Sequence, residues 1–234
     1  MGGTQEIAFS SAQLFSFFLR GVILLILPFA GFAYLHKKHG TGFLPMFIGF
    51  ITVMLILVPR QMVRSMLTPA ADSLTGKWLT VWLVGAVFEE CGRYVAMKFA
   101  LPNHDTLADA LCYGLGHGGA ETVMSAVMQF TILFEASAMT GEHLAAYAQQ
   151  GWLTLLTVTL VQVLNLAFHM AMSVLVARAV HYENCKKLLP IAIFLHVLSN
   201  FTDFCFDLPG SLVLTPVICA GVYLHGRQYP DGMI

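Results

Sequence analysis

The stretch "WLTVWLVGAVFEECGRYVAMKFAL", residues 78–101, decides how this chain must fold. It is apolar enough for a membrane span, yet it holds Glu89, Glu90 and Arg93 near its middle. At about 1.5 Å per residue a helix of this length reaches about 36 Å, and a hydrocarbon core is about 30 Å thick. A single charged side chain at the bilayer centre costs about 2.5–3.5 kcal/mol on insertion scales. The three together are predicted to face other helices or an internal cavity rather than lipid.

Working outward, the rest of the chain has the same character. Of its 234 residues 57% are hydrophobic and 11% charged, against about 25% charged in an ordinary soluble domain. That deficit excludes a water-covered surface of this size. No ten-residue alternation marks a transmembrane β-barrel. The expected class is all-α, a polytopic membrane protein with a bundle of about seven transmembrane helices. The spans read as 12–35, 42–59, 77–101, 106–135, 153–179, 188–206 and 209–225. They form a single transmembrane helical domain, 1–234, with a motif-bearing core over about 77–206. The first span has Arg20 before "GVILLILPFAGFA", as a secretory leader would. Its approach to Arg20 is apolar too, and "HKKHG" follows like a stop-transfer flank, so a retained span is expected.

Charge limits the partners. A net charge of −1 gives no electrostatic footprint for nucleic acid. The bilayer is the expected surroundings. Cys91, Cys112, Cys185, Cys205 and Cys219 form no CxxC pair and read as small packing residues, not a disulfide framework. Lys37, Lys38, Arg178, Lys186, Lys187 and Arg227 fall on one side of a seven-span chain. The loop "EASAMTGEHLAAYAQQGW", residues 135–152, falls on the other and has no Lys or Arg. The positive-inside rule then puts the N-terminus outside and the C-terminus in the cytoplasm. Arg60, Arg64 and Lys77 run against it. A prokaryotic inner membrane is the expected location.

The polar residues share one depth. Glu89 is central in span three; His117 and Glu121 are central in span four, in "GLGHGGAETV". His169, in "NLAFHMAMS", lies just past the middle of span five, and His196, in "FLHVLSNFTDF", is central in span six. Arg93 is within one turn of both Glu89 and Glu90, and His117 is one turn from Glu121. His196, Ser199, Asn200 and Asp203 make one stripe, and Gln162, Asn165, His169 and Ser173 another. Gly114, Gly116, Gly118 and Gly119 offer small surfaces for close helix packing. The candidate site is Glu89, Glu90, Arg93, His117, Glu121, His169, His196 and Asn200. Bland readings stand beside it. The acids and Arg93 serve equally as a structural ion pair, and His169 as a hydrogen-bonded packing residue. Gln162 and Asn165 read as interhelical hydrogen bonders, Asp203 as a solvated group near the membrane face.

A carboxylate beside an imidazole in a partly dry site can activate water, and a second His with a nearby Asn can donate to an oxyanion. The reaction class implied is amide hydrolysis without a cofactor. Zinc held by His117, His169, His196 and a carboxylate is the rival chemistry; HExxH is absent. No GxSxG occurs to suggest a serine nucleophile.

The ordered motifs resemble the glutamic-type intramembrane proteases. These comprise the CAAX-processing and bacteriocin-processing enzymes, the PrsW proteases and the YhfC family. Their pattern is a double Glu followed by a basic residue, an aromatic-xxx-His or aromatic-xxx-Glu, then His-xxx-Asn or His-xxx-Asp. Here these are "EECGR" (89–93), "YGLGH" (113–117) with Glu121 a turn later, and "HVLSN" (196–200). "GLGHGGAE" is most similar to the YhfC family. The resemblance covers about 88–206. It implies Glu89, or Glu90 in its place, as the base, His117 as partner, and His196 with Asn200 on the oxyanion side. Arg93 stands one residue closer to the double Glu than in the CAAX enzymes, and Tyr113 stands where Phe is usual.

The same region is similar to the anterior pharynx-defective scaffold subunit of γ-secretase, through Glu90, His169 and His196. That likeness implies a non-catalytic assembly role. Midplane polar residues would also suit a transporter, but no second half repeats the Gly-rich segment. The reading preferred is an intramembrane endopeptidase acting on a membrane-embedded or lipid-anchored peptide.

Overall fold

The architecture is that of a computed structural model, which describes residues 9–70, 73–135, 147, 151–205 and 211–226. Seven long helices make up the described residues: α1 (Ser11–His39), α2 (Leu44–Leu67), α3 (Leu74–Ala100), α4 (Leu107–Glu135), α5 (Trp152–His181), α6 (Leu188–Cys205) and α7 (Ser211–Gly226). Short 3-10 turns follow α2 and α5, at Thr68–Ala70 and Glu183–Cys185. No strand occurs among the described residues.

Local chemistry sets the helix ends. Ser10 caps α1, its hydroxyl accepting from the Gln13 amide while the Gln13 side chain accepts from the Ser10 amide. Gly40 closes that helix with φ 71°, a left-handed conformation that glycine adopts without strain. His36, Lys37, Lys38 and His39 fill the last turn, where cations meet the negative end of the helix dipole. Ser73 caps α3 through the Gly76 amide at 3.0 Å. Thr41 donates to Asp109 at 2.8 Å, tying the α1–α2 link to the start of α4.

The bundle buries a cluster of charged groups within its apolar core and shows an apolar surface. Phe18, Leu55, Val58, Phe99, Phe134 and Val213 are exposed on its surface, while Glu90, Arg93 and His117 have no exposure at all. That inversion suits hydrocarbon as solvent. By length and composition α1, α2 with its 3-10 extension, and α5 are each apolar enough to cross a membrane. Helices α3 and α4 carry the acids of the polar cluster, Glu89, Glu90 and Glu121. The chain is an all-α polytopic membrane protein.

Helix α4 is central, packed on α1, α2 and α5, while α3 packs on α2, α5 and α6. Missing side chains allow this. A Cβ on Gly116 would stand 1.8 Å from the Met46 carbonyl oxygen, and one on Gly49 would stand 2.2 Å from that of Tyr113. Helices α2 and α4 thus meet backbone to backbone. One boundary differs from the sequence reading in a way that matters. The second span was expected to end at Pro59, but α2 continues through Pro59 to Leu67. Neighbouring helices tolerate a proline in a membrane helix. Arg60 and Arg64 therefore ride on a helix facing α3, not in a loop.

Candidate active site

Five helices, α2 to α6, meet around Glu89 and Glu90. On α3, Glu90 pairs with Arg93, both fully buried. The Glu90 carboxylate also accepts from His196 Nδ1 on α6 at 2.7 Å. Arg93 reaches on to α5, where its Nη2 lies 3.1 Å from His169 Nδ1. A guanidinium only donates, so this Nδ1 accepts and the ring carries its proton on Nε2. His169 Nε2 in turn stands 3.3 Å from Glu121 Oε2 on α4. That same oxygen accepts from Asn165 at 2.9 Å.

Glu89 has a different partner from the one expected. The helical spacing left Arg93 free to take either acid. In the structure Arg93 goes to Glu90, and Glu89 pairs through Oε1 with Arg60 from α2. Its second oxygen, Oε2, is buried without a hydrogen bond. His117 Nε2 and His196 Nε2 each lie 3.6 Å from it. That is too long for a hydrogen bond, and is a separation at which a bridging group belongs. Both ring nitrogens of His117 are buried and unbonded.

The geometry redraws two expected pairings. His117 does not pair with Glu121 one turn along its own helix; it faces Glu89, and Glu121 faces His169. His196 does not stand free for an oxyanion beside Asn200, because its Nδ1–H is committed to Glu90. Asn200 is half-buried one turn further on and joins no hydrogen bond among the described residues. Asn165 is an interhelical bonder through Glu121; Ser173 bonds back to the His169 carbonyl on its own helix at 2.7 Å. Asp203 and Cys205 have side chains outside the described residues. Cys91, Cys112, Cys185 and Cys219 form no disulfide among the described residues.

Arg60 is the residue that sequence reasoning missed. Its one cue was a basic residue a single position beyond Pro59, at the end of an apolar run. Its side chain is mostly covered, at 16% exposure, and Glu121 is the most open acid of the cluster at 27%. Arg60 lies toward the end of α2, and Glu121 at the middle of α4.

Order of motifs, buried acids and paired histidines on successive helices can now be set beside known proteins. A family model described as YhfC intramembrane metalloprotease matches residues 23–218. The chain belongs to this family. A YhfC relative in Bacillus subtilis (strain 168), named as an uncharacterized membrane protein, is 30% identical over 114 residues. That match covers 45% of this chain and 44% of the relative, so it spans less than half the length of either protein. No solved structure matches.

The description of the YhfC family implies a metal. Glu89, His117 and His169 can each offer a ligand atom with all three atoms within 4.8 Å of one another. The orphaned nitrogens of His117 and the bare Glu89 oxygen are what a missing ion would leave. His169 fits less well, since both its nitrogens are engaged. His196 fits better by chemistry, because its Nδ1–H is fixed by a carboxylate and its Nε2 is left as an acceptor, as in many metal-bound histidines. Two ligands on one tetrahedral zinc stand about 3.3 Å apart, close to the separations around Glu89 Oε2. The donor set fits a metal.

Proposed function

We propose that this member of the YhfC family is an intramembrane endopeptidase that activates water at Glu89. The supporting observation is the bare Glu89 Oε2, buried with an imidazole nitrogen 3.6 Å away on each of two sides. Arg60 holds the other oxygen, which fixes the carboxylate's direction. Water placed among these groups would give a proton to Glu89 as its oxygen adds to the scissile carbonyl carbon. The proton would then pass to the amide nitrogen as the C–N bond breaks. His117, free at both nitrogens, is placed to carry that proton. Glu90 and Arg93 act on the reaction through His196 and His169, which they hold in position. A bound metal, held by Glu89 and His117 with His196 or His169, would supply Lewis acidity and a more acidic water.

The substrate class follows from the setting. The site lies inside an apolar shell, so the peptide must arrive within the membrane, as an embedded segment or on a lipid anchor. The test is cleavage of a membrane-embedded fluorogenic peptide in liposomes by wild type and Glu89→Gln. Gln still accepts a hydrogen bond from Arg60, so the variant should fold. Lost cleavage by a variant that still folds, at a melting temperature lowered because Arg60 loses its counter-charge, is expected; retained cleavage would end the proposal.

One observation favours a second reading, a non-catalytic scaffold. His196, Glu90, Arg93, His169 and Glu121 are linked in one unbroken chain of contacts, as packing residues would be. Under that reading wild type cleaves nothing, and Glu89→Gln changes only stability.

A further inference from the structure

A second polar feature lies away from the buried cluster. A cleft of about 600 Å³ opens between the end of α2 and the start of α3, lined by Gln61, Arg64, Ser65, Thr68, Lys77 and Val81. Arg64 is fixed within it. Its Nε donates to the Val81 carbonyl at 3.2 Å, and its Nη2 occupies the space that a Cβ on Gly85 would fill, 2.4 Å away. Lys77, across the cleft, is exposed. Among the described residues neither cation is paired with a carboxylate. Ser65 and Thr68 add hydroxyls to the same wall. Asp72, in the link between the two helices, lies outside the described residues.

Depth identifies what the cleft meets. From Leu44, where α2 begins, twenty residues to Arg64 rise about 30 Å, the thickness of the hydrocarbon core. Arg64 therefore stands at the level of lipid headgroups. Trp78, exposed and stacked on Trp82, marks the same level, as indoles do at membrane interfaces. Met62 on α2 and Leu79 on α3, one step toward the hydrocarbon from this level, are exposed. Two cations and two hydroxyls in a notch ringed by apolar side chains suit an anion that brings its own acyl chains.

We propose that this cleft binds the phosphate of a phospholipid headgroup, held between Arg64 and Lys77. The site is separate from the Glu89 cluster and does not rest on the protease reading. The lipid seals the α2–α3 junction and thereby steadies the helix that carries Arg60.

The test uses the full chain in dodecyl maltoside. Short-chain phosphatidylglycerol, a phosphate-free galactolipid and inorganic phosphate are each titrated while the melting temperature is followed. Phosphatidylglycerol should raise it saturably, and the other two should not. Lys77→Gln, an exposed change that leaves the helix packing alone, should weaken the apparent lipid affinity about fivefold. Arg64→Gln/Lys77→Gln should abolish the response. An equal response in Lys77→Gln, an equal response to galactolipid, or stabilisation by inorganic phosphate alone would overturn the proposal.

Discussion

Arg60 on α2 and Glu89 on α3, 29 residues apart, form an ion pair that no local spacing announces. Taking one partner from a buried pair costs about 3–5 kcal/mol, because the other charge is left uncompensated. Arg60→Met should therefore lower stability strongly. Adding Glu89→Gln should restore most of it, since the stranded charge is then gone. Thermal unfolding of the single and double variants decides this; a double variant no more stable than Arg60→Met would show that the pair is not what holds α2 to α3.

Arg93 has no exposure and bonds Glu90 on its own helix and His169 on α5. Its removal should cost a similar 3–5 kcal/mol. Arg93→Lys should not rescue it, because an ammonium cannot reproduce the planar two-way donation of a guanidinium. Unfolding curves in detergent check this directly. Equal stability of the Lys variant and wild type would mean that charge alone suffices.

Glu89 and Glu121 should separate by activity. General acid–base groups contribute about 10²–10⁴-fold, and Glu89→Gln is expected to lose a factor in that range. Glu121→Gln should lose less than that range, because its oxygens serve Asn165 and His169 and not the bare site. Comparing the two rates on one reporter peptide checks the assignment. A larger loss at Glu121 would move the reacting carboxylate to α4.

Metal content gives an independent reading of the cluster. Protein purified without chelator is expected to hold about one divalent transition metal per chain, as a single tetrahedral site would. His117→Ala should lose it and Glu121→Gln should keep it. Elemental analysis of the three proteins is the measurement, and metal retained by His117→Ala would place the ion elsewhere.

Glycine contacts offer a packing test free of chemistry. Gly116→Ala would put a methyl group 1.8 Å from the Met46 carbonyl, forcing α2 and α4 apart. Overpacking of this kind costs about 1–3 kcal/mol or more. Gly221→Ala meets nothing within 4 Å and should be neutral or stabilise by up to about 1 kcal/mol. Melting temperatures of both variants would show whether the backbone contact of α2 and α4 is essential.

Much of this fold was legible because hydropathy reports spans directly. Helix number, the polar depth and the membership of Glu89, His117, His169 and His196 in one cluster came from residue type and position alone. Partner choice did not. One-turn spacing suggested His117 with Glu121 and allowed Arg93 either acid, but the rotation of the helices about their axes turns His117 to Glu89, Glu121 to His169 and Glu89 to Arg60, leaving Arg93 to Glu90. Rotation depends on packing at Gly49, Gly114 and Gly116, which no local pattern encodes. Pro59 hid Arg60 for a simpler reason. The second span was read as 42–59, ending at Pro59, yet in a membrane helix a proline is a tolerated interruption.

Both acid–base pairs lie within α2 and α3, Arg60 with Glu89 and Arg93 with Glu90. The chain is made from its N-terminus, so this hairpin exists before the helices bearing His169 and His196. Each carboxylate then has a cation to meet before its imidazole is synthesised. The greasy span that opens with "WLTVWLVG" can thus enter the bilayer with both of its acids already paired, and the histidines are added to a core whose carboxylates are already balanced.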